Sequence, residues 1–119
     1  MQELQVNKEN CFSVLMAVYK KEQPLFFKEA LRSVFEQSLI PNEVVLVKDG
    51  PLTEELEQII VDFSSKNEQL KVITLEKNQG LGEALRIGLN ACSFDLVARM
   101  DSDDICKPYR FEKQIAFLK

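Results

Sequence analysis

Short runs of apolar residues alternate along the chain with longer stretches that are apolar on one helical face only. The runs predict four buried strands, at residues 12–19, 43–48, 70–75 and 94–100. Between them, apolar residues recur at three- and four-residue spacing, as they do from Phe27 to Phe35, and this spacing predicts amphipathic helices. The chain therefore follows a strand–helix order throughout.

Local signals indicate where the helices begin and which faces they bury. Pro24 suits the first turn of the first helix, and Thr53 is expected to cap the second. The third helix is expected to turn Leu81, Leu85 and Leu89 inward. The last helix is predicted from three further apolar residues: Phe111, Ile115 and Leu118.

Four strand–helix units predict an α/β fold, with a mostly parallel sheet covered by helices on both faces. Residues 12–119 would form this domain, after a polar leader at 1–11. The last helix has no capping glycine after it, so we expect a truncated chain whose sheet continues beyond Lys119. An exposed apolar patch, and self-association through it, are expected where such residues would pack.

Charge and cysteine content narrow the classes of function. The 119 residues carry a net charge of −4 and no histidine. Net acidity disfavours a nucleic-acid partner, and the lack of histidine leaves acid–base chemistry to other side chains. Cys11, Cys92 and Cys106 are too widely spaced for a zinc site and are predicted to be reduced. No apolar run approaches the length of a transmembrane segment.

Three carboxylates in four residues form the most informative motif, Asp101-Ser102-Asp103-Asp104, directly after the fourth predicted strand. Like charges this close favour a compensating cation, and Mg²⁺ or Mn²⁺ prefers oxygen ligands that it often shares with a phosphate. The alternative is a solvated acidic turn that caps the next helix. The motif alone does not separate the two interpretations.

Polar residues also follow the other three predicted strands. Tyr19-Lys20-Lys21 follows the first, Asp49-Gly50 the second and residues 77–80 the third. Because ligands of open α/β sheets bind outside the carboxyl ends of the strands, these residues and the acidic turn are expected to converge. The convergence favours a ligand site over a solvated turn.

Asp49 and Arg99 at this edge allow two interpretations each. Asp49 suits a tight Asp-Gly-Pro turn, or it accepts a hydrogen bond from a ligand. Arg86 lies on a helix whose exposed face is its default position. Arg99 either pairs with a neighbouring carboxylate or contacts a phosphate.

Other motif families fit poorly. Gly80-Leu81-Gly82 starts like a dinucleotide-binding pattern, but Leu85 stands where the third glycine belongs. Residues 101–112 have the length of an EF-hand loop, but Cys106 replaces its glycine. No Walker A sequence is present, and an aspartyl-phosphate phosphatase would carry its acidic pair after the first strand.

Five segments together resemble a known family: residues 13–19, 44–50, 78–86, 98–104 and 108–114. In this order and spacing they resemble the family 2 glycosyltransferases, and most of all bacterial enzymes of amylovoran-type and capsular polysaccharide synthesis. The resemblance implies a GT-A fold and inverting transfer of a sugar from a nucleoside-diphosphate donor, by default a UDP-sugar. The acceptor would be a hydroxyl of a saccharide or lipid-linked saccharide.

The resemblance also implies roles for single residues. Asp101 and Asp103 match the family's DxD pair, with Asp101 near the ribose and both acids at a Mg²⁺ or Mn²⁺ ion on the diphosphate. Asp49 matches the carboxylate that reads the base. Tyr19 and Arg86 match residues that contact the base and the ribose-phosphate.

The same resemblance places Asp104 and Arg99 beside the metal ligands as supporting charges. Lys48 departs from the family pattern, which is often acidic at that position. The carboxylate base that activates the acceptor belongs to a later segment of the family, so it is expected beyond Lys119. The chain is therefore predicted to be a donor-binding part, inactive alone, at the cytoplasmic side of a membrane.

Two other functions remain open at this point. A nucleotidyltransferase would use a similar nucleotide site, but it usually carries a glycine-rich basic loop after the first strand, and residues 19–22 contain no glycine. A non-catalytic α/β interaction module would have solvated acids and no ligand.

Overall fold

A computed structural model describes residues 11–113 and contains four strands that alternate with helices. The strands are β1 (Ser13–Val18), β2 (Glu43–Lys48), β3 (Leu70–Thr74) and β4 (Val97–Arg99). The helices are α1 (Pro24–Phe35), α2 (Glu54–Lys66) and α3 (Leu81–Ala91), and residues 110–113 begin a further helix. The predicted α/β class is confirmed.

The four strands form one parallel sheet in the order β3-β2-β1-β4. Val14 of β1 pairs with Val44 on one side and with Ala98 on the other. The chain thus adds β2 and β3 on one side of β1 and then crosses back to add β4. Adjacent strands whose connections leave in opposite directions open a crevice at their carboxyl ends, here between β1 and β4.

Alternate residues of the central strand face two separate apolar layers. Val14, Met16 and Val18 pack in the core that α1 and α2 cover, whereas Leu15 and Ala17 pack in the layer beneath α3. All six residues of β1 are buried, which explains why its sequence is an unbroken apolar run.

Small residues let α3 approach the sheet closely. Ala84 and Gly88 are the buried residues of this helix. A Cβ atom on Gly88 would lie 2.7 Å from Cγ2 of Val47 and would also meet Leu15, so glycine is required by the packing.

The predicted inner face of α3 is wrong for two of its three leucines. Leu81 and Leu89 are 53% and 52% exposed, and only Leu85 packs partly against the core. Leucine is more hydrophobic than alanine or glycine, so the sequence pattern predicts that the leucines face the core. In the structure the helix lies so close to the sheet that only the small side chains of Ala84 and Gly88 fit between them.

The starts of α1 and α2 agree with the sequence signals, whereas β4 differs in length. Pro24 begins α1, and the Thr53 hydroxyl caps α2 by accepting a hydrogen bond from Leu56 N at 3.3 Å. The fourth strand is shorter than predicted. Phe111 is buried as expected, whereas Ile115, Leu118 and all of the leader except Cys11 lie outside the described residues.

An ionic cluster around the buried carboxylate of Glu43 lies at the amino ends of the strands. The Glu43 carboxylate accepts hydrogen bonds from Lys71 Nζ and Ser13 Oγ, each at 2.7 Å, and from Ser93 N and Oγ at 2.7 and 2.8 Å. Burial alone raises the pKa of Glu43, but the bonds from Lys71, Ser93 and Ser13 outweigh it and lower the pKa from 4.5 to about 2. This carboxylate is therefore held ionised.

Within residues 11–113, no helix combines the length and the apolar character that crossing a membrane requires.

Candidate functional site

A cavity of about 450 Å³ opens at the carboxyl ends of the strands, in the crevice between β1 and β4. The structure brings five of the expected site residues to its wall: Tyr19, Asp49, Arg99, Asp101 and Asp103. They end or follow three different strands, β1, β2 and β4, so their convergence comes from the parallel topology.

The acidic turn lies at the end of β4. Asp104 N donates to Asp101 O at 3.1 Å, which closes the turn. The side chain of Asp101 is 57% exposed, and Arg99 Nη2 lies 3.5 Å from its Oδ1 atom. An exposed pair of this kind contributes little stability, so Asp101 remains accessible to a ligand.

Asp49 is buried and joins two loops. Its Oδ1 atom accepts a hydrogen bond from Gln79 N at 2.7 Å, and its backbone carbonyl accepts one from Asn78 Nδ2 at 3.2 Å. Asp49 N donates to Val18 O at 2.8 Å. The residue therefore ties the loop after β3 to the end of the sheet while it also lines the cavity.

We expect Gly50→Ala to destabilise the protein by about 3 kcal/mol. Gly50 has a φ of +89°, which disfavours any side chain, and a Cβ atom there would lie 2.6 Å from Asn78 N. Chemical denaturation measures the loss. Gly82→Ala is the matched control, because nothing lies within 4 Å of a Cβ at this helical position. Equal stability of the two variants would contradict the packing described at Gly50.

Two expected site residues lie away from the cavity wall. The side chain of Arg86 is 61% exposed and pairs with Glu83 one helical turn earlier, with Nε 3.0 Å from Oε2. Asp104 faces Arg110, with 3.7 Å between the charged atoms. In the structure Arg86 therefore lies on the solvated face of α3 and outside the cavity wall.

Lys48, which departs from the family pattern, is turned toward α2. Its Nζ atom lies 2.8 Å from Glu57 Oε1, and Lys48 does not contribute to the cavity wall. The substitution therefore adds no positive charge to the cavity lining.

Two buried polar residues, one in the last turn of α1 and one just after the helix, hold the segment that follows the acidic turn, a feature that the sequence did not reveal. Ser33 Oγ accepts a hydrogen bond from Cys106 N at 2.9 Å. Gln37 donates to Lys107 O at 2.7 Å and accepts from Phe111 N at 3.1 Å. These bonds connect α1 to residues about seventy positions later, and no local pattern announces them.

Glu22 is a further cavity residue that sequence reasoning missed. It lies in the turn after β1, lines the cavity and accepts a hydrogen bond from the Ser102 hydroxyl. A single acid in a polar loop gives no signal of its own, so the fold was needed to find it.

The acidic turn suits a divalent cation shared with a phosphate. Asp101 and Asp103 both line the cavity with hard oxygen donors. In the described part of the chain, no group of three or more acidic, cysteine or histidine side chains is placed to hold a metal alone. Mg²⁺ commonly uses one or two carboxylates together with substrate phosphates, and these residues fit that mode.

The parallel sheet and the crevice at its switch point are the arrangement of the GT-A fold of glycosyltransferases. Residues 13–119 match the family model described as "Glycosyl transferase family 2". The chain belongs to this family, and the resemblance inferred from its motifs is confirmed.

Two relatives are biosynthetic enzymes. The chain is 50% identical over 107 residues to the UDP-Gal:alpha-D-GlcNAc-diphosphoundecaprenol beta-1,3-galactosyltransferase of Escherichia coli, covering 90% of the chain and 38% of the relative. It is 46% identical to the amylovoran biosynthesis glycosyltransferase AmsE of Erwinia amylovora, covering 91% and 40%. The chain thus spans about two fifths of their length.

Among solved structures, the fold is similar to that of S. aureus TarS 1–349 in complex with UDP-GlcNAc. The TM-score is 0.78 at 31% identity, and the match covers 91% of this chain and 31% of the TarS chain.

Proposed function

We propose that this chain is the donor-binding part of an inverting glycosyltransferase of bacterial polysaccharide biosynthesis. The observation that carries the proposal is one cavity, at the switch point of the sheet, lined by Tyr19, Asp49, Asp101 and Asp103. Relatives named for UDP-Gal and UDP-GlcNAc support a UDP-sugar as the donor.

Each cavity residue has a task that suits its chemistry. Asp49, already oriented by Gln79 N, offers a carboxylate to the N3–H of uracil. Tyr19, 44% exposed, offers a ring face to the base or ribose. Asp101 reaches the ribose, and Asp103 together with Asp101 would hold Mg²⁺ or Mn²⁺. When bound, such an ion stabilises the negative charge that develops on the leaving diphosphate.

The acceptor side completes the proposal. We assign the carboxylate base that deprotonates the acceptor hydroxyl to a segment other than this cavity, because the acids of this cavity serve the donor and the chain spans about two fifths of the length of its relatives. A lipid-linked saccharide acceptor is supported by the relative that acts on a diphosphoundecaprenol-linked sugar. A cytoplasmic location at the inner face of the membrane follows from such an acceptor, and self-association through exposed apolar residues stays a prediction.

Calorimetric titration of the chain with UDP, with and without Mn²⁺, tests donor binding. We expect binding that strengthens markedly with Mn²⁺, since Asp101 and Asp103 would hold the ion and it would supply positive charge to the diphosphate. UMP serves as the control ligand, because it lacks the second phosphate and should gain much less from the ion. A folded chain that binds no UDP at millimolar concentration in the presence of Mn²⁺ would instead favour the interaction module.

A further inference from the structure

Glu22 and Ser102 connect the two loops that border the crevice. The Ser102 hydroxyl donates a hydrogen bond to Glu22 Oε1, across 80 positions of sequence. One residue follows β1 and the other follows β4, and these strands are neighbours in the sheet. We propose that Glu22 is a positioning residue that orients the acidic turn toward the donor diphosphate. The inference rests on the proposed function.

Glu22 is itself held in place from the other side. Its Oε2 atom accepts a hydrogen bond from Gln23 N at 3.0 Å, and its own N–H donates to Tyr19 O at 3.0 Å. It stands directly before α1, whose first turn contains no acidic residue and whose N-cap makes no side-chain bond. The carboxylate therefore also benefits from the positive end of the helix dipole, and both of its oxygens are engaged.

The position of Ser102 explains how a single bond orients two ligands. Ser102 lies between Asp101 and Asp103 in a turn closed by Asp104 N and Asp101 O. Fixing its hydroxyl restricts the backbone on both sides, and hence the directions of both carboxylates. On the far side, Arg110 donates to the Arg99 carbonyl at 3.5 Å, so the turn is held between two contacts.

Glu22 also adds a negative charge to the cavity wall, next to Asp101 and Asp103. The effect of Glu22 on UDP binding could therefore arise from its charge or from its hydrogen bond to Ser102.

Three variants separate these two causes. Ser102→Ala removes the bond and keeps the charge, Glu22→Gln keeps an acceptor and removes the charge, and Glu22→Ala removes both.

The measurement is the dissociation constant of UDP at saturating Mn²⁺, and again in EDTA. Positioning predicts that Ser102→Ala and Glu22→Ala each weaken Mn²⁺-dependent binding about tenfold, as loss of a partner that orients a metal ligand typically does. Glu22→Gln should stay within about threefold of the unaltered chain. UDP binding in EDTA should be unchanged in all three, which a general loss of folding would not allow.

The double variant and a control complete the test. Because both single variants break the same bond, the Glu22→Ala and Ser102→Ala double variant should bind no more weakly than either alone. Glu36→Ala, which removes an exposed acid at the opposite end of α1 that pairs with Arg32, should not change binding. The proposal is overturned if Ser102→Ala binds normally, or if Glu22→Gln loses as much as Glu22→Ala. Failure of the unaltered chain to bind UDP would refute the proposed function instead.

Discussion

Replacing Asp103 with asparagine is expected to remove the metal-dependent part of UDP binding, which corresponds to a loss of about 100-fold in affinity at saturating Mn²⁺. Asp103 is an exposed carboxylate on the wall of the cavity. The amide has nearly the same shape but no charge, so the turn should keep its conformation while the proposed cation would lose an anionic ligand. Calorimetry in Mn²⁺ and in EDTA measures the difference.

Asp104→Asn is the matched control, because it removes the next carboxylate of the same turn. Asp104 pairs with Arg110 and lies outside the cavity wall, so its loss should change UDP affinity by less than about twofold. If both variants lost affinity equally, the total charge of the turn, rather than ligation by Asp103, would account for binding.

Acidification from pH 5 to pH 2 is expected to remove about 3 kcal/mol of unfolding free energy at Glu43. Its pKa is about 2 in the folded chain and 4.5 without the surrounding structure. A lowered pKa means that the contribution is complete above pH 4.5 and is lost as the pH falls through the folded value. Urea denaturation at a series of pH values measures this loss.

Glu43→Gln identifies the part of the pH dependence that belongs to this residue. The variant leaves Lys71 without its charged partner, so it should be clearly less stable than the unaltered chain at neutral pH. The difference in unfolding free energy between Glu43→Gln and the unaltered chain should narrow toward pH 2. Glu83→Gln removes an exposed acid whose pKa is lowered by the hydrogen bond with Arg86, and it is the comparison variant. Because solvent screens this exposed pair, its difference in unfolding free energy should narrow much less than that of Glu43→Gln. If the difference for Glu43→Gln stayed constant with pH, the acid-induced loss of stability would not arise from Glu43.

The arrangement of the sheet was predictable because the central strands contain unbroken apolar runs, at residues 14–18 of β1 and 44–47 of β2, while β3 keeps an apolar pattern interrupted by Lys71. The bounds of β2 agree fully with the predicted residues 43–48. The convergence of Tyr19, Asp49 and the acidic turn was predictable for a topological reason, since the carboxyl ends of parallel strands share one edge.

The remaining features depend on contacts that no local pattern encodes. The bonds from Gln37 to Lys107 and from Ser102 to Glu22 cross 70 and 80 positions of sequence. The orientation of Arg86 depends on its ion pair with Glu83, which would compete with a ligand for the guanidinium group. The inner face of α3 was misjudged because hydrophobicity, rather than size, was the visible signal.

Strand β2 begins at Glu43 and is followed directly by Asp49. One strand of six residues therefore has the ionic cluster of Glu43, here called the anchor, at its amino end and a cavity residue at its carboxyl end. At the usual rise per residue the two ends lie roughly 20 Å apart. Substitutions in the loops at the carboxyl edge can therefore accumulate without touching the anchor. Such separation favours divergence: loop substitutions that reshape the cavity can be inherited without weakening the Glu43 cluster, except at positions such as Gly50 where the packing admits no side chain.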